Sequence, residues 1–268
     1  MTQIQLPHDF ILDCSNNFQL VVIDNFYDAV NNKTALKWLG KLFQFKVNSY
    51  RESYPYGILP FAGTDLVGIH WLFCIKKESG LYPIMGFKTI DTARTDIFRI
   101  EFPAYSIVAE PQLNLQRDAI KHEVRKAQNN GYPLGYLGSW TIDPSVRNNL
   151  LLSKLCKKMT SALVTEWIQA FDIQAAVTFA SLRFHVEKFH TYMGMTRLLG
   201  AQGQHLPDFK AHPFFDEPAS ISILHRENCS LETRQDALDL KIFWNKKIVI
   251  GSEDSCLLIS PSRDKKAA

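Results

Sequence analysis

The sequence predicts an α/β fold built on a central mixed β-sheet flanked by helices. Three observations predict it. Short apolar runs alternate with longer segments of helical periodicity along most of the chain. A glycine-containing turn between two strand-like runs marks one antiparallel hairpin. A hydrophobic run ending in Asp143-Pro144 leads directly into the longest amphipathic segment.

The elements follow in order. Residues 18–23 (Phe-Gln-Leu-Val-Val-Ile) read as a buried strand. Asn31 and Asn32 offer helix caps, and Leu36, Leu39, Leu42, Phe43 and Val47 then recur at helical spacing to about Arg51. Residues 54–63 are rich in turn formers. The hairpin takes residues 70–76 and 81–91, with Glu78-Ser79-Gly80 as its turn. Residues 98–102 are a short strand or a loop. A helix over residues 114–130 ends at Asn130-Gly131, with Pro133 beyond. Residues 136–142 form a central strand. Asn148 or Asn149 caps the long helix, whose apolar face carries Leu152, Leu155, Cys156, Met159, Leu163 and Trp167. An apolar strand at 173–180 precedes a short helix over 182–192 that stops at Gly194. Residues 195–199 and 219–225 supply a last strand pair. From Leu231 onward a helix and a short strand at 248–250 precede the tail, which sets residues 1–230 as the main domain and 231–268 as an extension packed on it.

Composition narrows the function classes. The 268 residues carry a net charge of +3, with no basic stripe and no zinc-finger or helix-turn-helix signature, which argues against nucleic acid as partner. Five cysteines without a CxxC pair read as packed thiols in a reducing compartment. The N-terminal residues have neither a basic nor an apolar targeting region, and no apolar run reaches about 18 residues, so the expected location is cytoplasmic without a membrane span. The eight histidines form no cluster at ligand spacing, so no metal is expected. P-loop, GxGxxG and GxSxG patterns do not occur.

Two stretches carry a resemblance. Trp140-Thr141-Ile142-Asp143-Pro144-Ser145-Val146-Arg147, followed at once by a long helix, resembles the central strand and acyl-donor loop of the GNAT (N-acetyltransferase) superfamily. Phe189-His190-Thr191-Tyr192-Met193-Gly194-Met195 resembles its short helix near the reaction centre. The resemblance spans about residues 18–226. It implies a GNAT-like acyltransferase fold with a phosphopantetheine cleft, and a donor that is an acyl-CoA or an acyl group on acyl carrier protein. Trp140, Thr141, Ile142, Arg147, Asn148 and Asn149 are then the donor-binding residues. A helix N-terminus beside Arg147 suits the donor's phosphate on physical grounds as well.

The sequence also departs from that pattern. Where the superfamily turn has two small residues, this chain has Leu150 and Leu152, and Leu150 is expected to crowd a pyrophosphate. The departure points towards the branch resembling acyl-homoserine-lactone synthases and N-acyl amino acid synthases, which implies a carrier-protein donor. Lys46, Arg51 and Asp65 fall in places comparable to that branch.

The implied reaction is direct transfer of an acyl group from a thioester to a primary amine, an amino acid among the candidates. It needs a base for the amine, hydrogen-bond donors for the oxyanion and an acid for the leaving thiolate. Glu101 is the candidate base, with Asp143 either a second base or a strand-ending Asx turn. His190 or Tyr192 is the candidate acid. Arg94 and Arg99 are candidates to hold an acceptor carboxylate, or they pair with Asp91, Asp96 or Glu101 on the surface. Trp71, Phe73, Trp140 and Phe179 either line an acyl tunnel or pack in the core. The alternatives are an acetyl-CoA-dependent N-acetyltransferase of small molecules or proteins, and a GNAT-fold binding module without turnover.

Overall fold

A computed structural model describes residues 16–54, 61–210 and 217–251. Among them a single sheet runs in the order β6-β8-β5-β4-β3-β2-β1-β9, with β7 paired to β8. Its members are β1 (Phe18–Asp24), β2 (Ile69–Lys77), β3 (Gly80–Asp91), β4 (Leu134–Ile142), β5 (Ala175–Ser181), β6 (Thr196–Arg197), β7 (Phe209–Lys210), β8 (Pro218–His225) and β9 (Ile248–Gly251). The pairs β4/β5 and β1/β9 are parallel and the other pairs antiparallel, so the sheet is mixed as the sequence predicts.

Helices cover both faces, and the central strands are therefore apolar on both sides. On β1, Val21 and Ile23 pack with Ala35, Trp38, Leu42 and Phe45 of α1 (Lys33–Ser53). Leu20 and Val22 face the opposite way, into the cluster that holds Leu155, Met159, Leu163 and Trp167. Those four residues belong to the long helix Leu150–Ala170. The period-2 alternation of the strand thus assigns each side chain to one helical layer.

The remaining helices follow in chain order. They are α2 (Thr64–Val67), α3 (Thr92–Ile97), α4 (Pro103–Ile107), α5 (Asn114–Asn129), α6 (Pro144–Arg147), the long helix α7 (Leu150–Ala170), α8 (Val186–Met193), α9 (Leu231–Asp239) and α10 (Lys241–Asn245). Asn32 caps α1 as expected, its Oδ1 accepting from Thr34 N at 2.8 Å. Asn149 caps α7 in the same way, accepting from Leu152 N at 3.1 Å.

Of the two alternatives for residues 98–102 the structure takes the loop: they close α3 and lead into α4, with Arg99 in the left-handed region at φ 51°. One segment differs from expectation. The short helix after β5 begins at Val186, because residues 182–185 make a turn in which His185 adopts φ 52°. Its end lies where the sequence places it. Gly194 caps α8 at φ 89°, and a methyl group there would lie 2.0 Å from the Asn228 carbonyl oxygen. Gly194→Ala combines a left-handed penalty of about 1–2 kcal/mol with a backbone collision. A loss of at least about 2 kcal/mol in urea unfolding is expected, and an unchanged midpoint would refute this reading of the C-cap.

Candidate active site

The parallel ladder between β4 and β5 stops early. Register partners run from Leu134↔Ala175 to Leu137↔Thr178, yet β4 continues to Ile142 and β5 to Ser181. β5 stays paired to β8 as far as Ser181↔Ala219. The sheet therefore opens between β4 and β5, and residues 138–142 of β4 have no β5 partner.

A second irregularity lies at the same place. β4 pairs with β3 through Gly86↔Thr141 and then Lys88↔Gly138, so Phe87 alone faces both Ser139 and Trp140. Ser139 takes φ 57°, as the extra residue of a bulge often does. Opening and bulge together bring backbone groups to the wall of a cleft of about 430 Å3.

α1 and α8 close this cleft from the sides. Ser49 and Tyr50 of α1 and its C-cap Tyr54 line it, as do Phe189, His190 and Met193 of α8. Trp140 stacks on Phe189 with ring centres 5.0 Å apart, and its Nε1 donates to Thr160 Oγ1 at 3.0 Å. Phe179 also lines the cleft, whereas Trp71 and Phe73 are wholly buried in the core and contribute nothing to its wall.

Below the opening lies a buried ionic cluster. Lys46 Nζ of α1 pairs with Asp65 Oδ1 of α2. Lys88 Nζ of β3 lies 3.2 Å from Asp65 Oδ2 and donates to Thr64 Oγ1 at 2.7 Å. His70 Nε2 meets the Asp65 carbonyl oxygen at 2.8 Å. Burial opposes the charge on Asp65, but the two lysines outweigh it and hold the carboxyl well below the usual carboxylate range. Burial, reinforced by the lysine charges, pushes His70 down to about 3, so it is neutral. Burial and the neighbouring Lys46 also bring Lys88 down to about 8, although Asp65 pulls the other way. Asp65 and Lys88 line the cleft, while Lys46 lies behind them.

Among the sequence candidates, Trp140, Thr141, Ile142, Arg147 and His190 come together here. Arg147 bridges the mouth: its Nε donates to Ile142 O at 3.0 Å, Nη2 to Ser49 O at 3.2 Å, and Nη1 pairs with Glu52 at 3.1 Å. His190 is buried, with Nδ1 3.0 Å from Ser222 Oγ, and burial lowers it to about 4. It is a neutral hydrogen-bonding group at physiological pH.

The other candidates lie elsewhere. Glu101 is exposed on the α3–α4 connection, because that segment turns rather than extending along the sheet. Arg94 is drawn under β1, where Nη1 meets Asp24 Oδ1 at 2.6 Å and Val67 O at 3.1 Å, and Arg99 is exposed beyond it. Tyr192 donates to Asp236 Oδ2 at 2.7 Å behind α8, and burial together with that bond raises its pKa. Asn149 spends its side chain on the α7 cap and Asn148 is exposed. None of these six residues lines the cleft. Asp143 accepts from Ser145 N at 2.9 Å, the strand-ending reading. Leu150 points outward at 66% exposure and does not close the cleft.

Ser49, Tyr50 and Lys88 escape sequence reasoning. Tyr50 is half-buried against the cleft, hydrogen-bonded to Thr141, and pushed up to about 12 chiefly by burial of its hydroxyl. The sequence does carry a signal for them. Lys46, Ser49 and Tyr50 repeat at i, i+3 and i+4 on one face of α1, and Lys88 is the single charge in the apolar run from Ile84 to Ile90.

Among the described residues no group of three or more His, Cys, Asp or Glu is placed to hold a metal, and no helix is long and apolar enough to cross a membrane. The sequence matches no protein-family model and no curated protein. Solved structures of similar fold include the AHL synthase LasI, at 14% identity over 82% of this chain and 93% of that one, with a TM-score of 0.49. FeeM, an N-acyl amino acid synthase from uncultured soil microbes, is 13% identical over 75% of this chain and 89% of that one, with a TM-score of 0.48. An acetyltransferase of the GNAT family from Bacillus anthracis is 9% identical over 78% of this chain and 96% of that one, with a TM-score of 0.41.

Proposed function

We propose that this protein is an N-acyltransferase that moves an acyl group from a phosphopantetheine thioester to a primary amine by direct attack. The parting of β4 from β5 carries this reading. A mid-sheet opening leaves a run of backbone with unused ladder positions, and an extended ligand with its own amides can complete them. Pantetheine is such a ligand: two amides in an extended arm that ends in a thiol.

The residues around the opening divide the work. Arg147 lines the cleft, and α7 starts three residues further along the chain; this is the candidate end for the donor's phosphate. The bulge at Ser139 and Trp140 lies where the thioester carbonyl would rest, and its backbone N–H groups are the candidate oxyanion donors. Attack forms a C–N bond, and collapse of the tetrahedral intermediate expels the thiolate. The amine nitrogen sheds the proton that the departing sulfur gains, and the Tyr50 hydroxyl on the cleft wall is the candidate to relay it, taking one proton and giving another; neutral His190 is placed to hydrogen-bond rather than to act as an acid. The donor is carried on coenzyme A or on acyl carrier protein, and three buried free thiols, Cys74, Cys156 and Cys229, fit work in the cytoplasm.

The decisive measurement incubates the full chain with acyl-CoA and acyl-carrier-protein thioesters and a panel of primary amines. Amine-dependent release of thiol, with a product heavier than the amine by the acyl group, is the expected outcome. No release above the uncatalysed rate from any thioester in the panel would remove the enzyme reading and leave a binding module.

A further inference from the structure

The ionic cluster below the cleft is unbalanced. Asp65 supplies one negative charge against Lys46 and Lys88, and His70 is neutral. Both lysines pair with the one carboxylate, which leaves the cluster a net charge of +1, with Lys88 at 4% exposure. An ammonium has three N–H donors. Those of Lys88 reach Thr64 Oγ1 and Asp65 Oδ2 among the described residues, so one remains for the cleft.

A buried cluster with an uncompensated net charge is costly, and an anion is the partner that relieves it. The described acids on the cleft wall do not serve. Asp65 is shared between the lysines, and Glu217 pairs with Arg183 at 2.5 Å.

An independent observation points to the same place. Ser49, one turn along α1 from Lys46, lines the cleft at 1% exposure, and its Oγ has no hydrogen-bond partner among the described residues. Buried hydroxyls are normally satisfied, and an orphan on a cavity wall is a place for a ligand atom. A cation with a donor to spare and an unused hydroxyl on the wall of one cleft suit one small planar anion.

We propose that Lys88 and Ser49 form a carboxylate-binding subsite on the floor of the cleft, and that the amine accepting the acyl group carries a carboxylate. The identity of the acceptor rests on the acyl-transfer reading above; the binding of a carboxylate does not.

The test is calorimetry on the full chain with 3-phenylpropionate and with its amide, an isosteric pair that differs in charge and has no titrating amine. The acid is expected to bind at least about tenfold more tightly than the amide, as one charge-assisted hydrogen bond implies. Lys88→Met abolishes the preference, Lys88→Arg retains it, and Ser49→Ala reduces it. Lys88→Met removes the surplus charge and leaves the Lys46–Asp65 pair intact, so the variant is expected to fold. Because Lys88 titrates near 8, affinity for the acid falls about tenfold between pH 7 and pH 9 in the wild type and not in Lys88→Met. Equal binding of acid and amide, no binding of the acid, or a preference that survives in Lys88→Met would each overturn the proposal. Thiol release without any carboxylate preference leaves acyl transfer standing and removes the subsite. Carboxylate binding without turnover of any thioester does the reverse.

Discussion

Asp65→Ala lowers the stability of the fold by about 3–5 kcal/mol, the usual effect of stranding a buried charge. Asp65 holds Lys46 on one oxygen and Lys88 on the other, and its second oxygen also accepts from Ala62 N at 2.7 Å. Lys46 is 2% exposed, so its ammonium depends on Asp65 for its charge partner. The alanine variant therefore keeps two buried cations with nothing between them, and one must lose its proton for the chain to fold. Urea unfolding at pH 7 measures the loss. A change within about 0.5 kcal/mol, typical of a surface substitution, would mean that water already solvates the cluster.

The pH dependence follows from the same residues. The folded-state pKa of Asp65 is depressed, so its contribution is present above the unfolded carboxylate pKa and is lost as pH falls towards the folded value. Lys88 has the opposite sign. Its folded pKa of about 8 lies below the ordinary lysine value of 10.5, so between these values the unfolded chain binds the extra proton and stability rises with pH. Wild type is expected to gain stability from pH 8 to 10 relative to Lys88→Met, which lacks the titrating group.

The fold was legible because its signals are long and local. β1, α1, the hairpin, α5, β4 and α7 all lie within a few residues of where apolar periodicity and capping residues put them. α2, α3 and α4 have four, six and five residues, fewer than two full turns of helical pattern, and they escape such a reading. The site was half legible for the same reason. Trp140 to Arg147 is one continuous stretch and could be read as a unit. The Lys46–Asp65–Lys88 cluster joins α1, α2 and β3, and only sheet pairing and helix packing bring those segments together. Glu101 misled because its neighbours Arg99, Ile100 and Phe102 mimic strand alternation. The chain instead takes a left-handed turn at Arg99 and leaves the sheet.

Removing residues 231–268 is expected to abolish cooperative folding, although the sequence marks residue 231 as the start of an extension. β9 pairs with β1 in parallel register from Val21↔Ile248 to Asp24↔Gly251. Trp244 stacks on Trp71 with ring centres 5.7 Å apart, and Phe243 meets Phe73 edge-on at 5.3 Å. All four rings belong to the same buried cluster as α7. Truncating one such aromatic costs about 3–5 kcal/mol. Losing two together costs roughly 6–10 kcal/mol, against a typical total of about 5–15 kcal/mol. The link also reaches the cleft: Asp236 of α9 accepts from Tyr192 Oη at 2.7 Å and from Ser161 Oγ at 2.5 Å, and Lys158 lies 3.1 Å away. Tyr192 is two residues from His190 on α8, so α9 braces the helix that walls the cleft. The truncated chain 1–230 should show collapsed amide dispersion in NMR and no sharp thermal transition by circular dichroism. Dispersed resonances and a two-state melt from that fragment would instead make residues 231–268 an appendage, and the brace on α8 would then be dispensable.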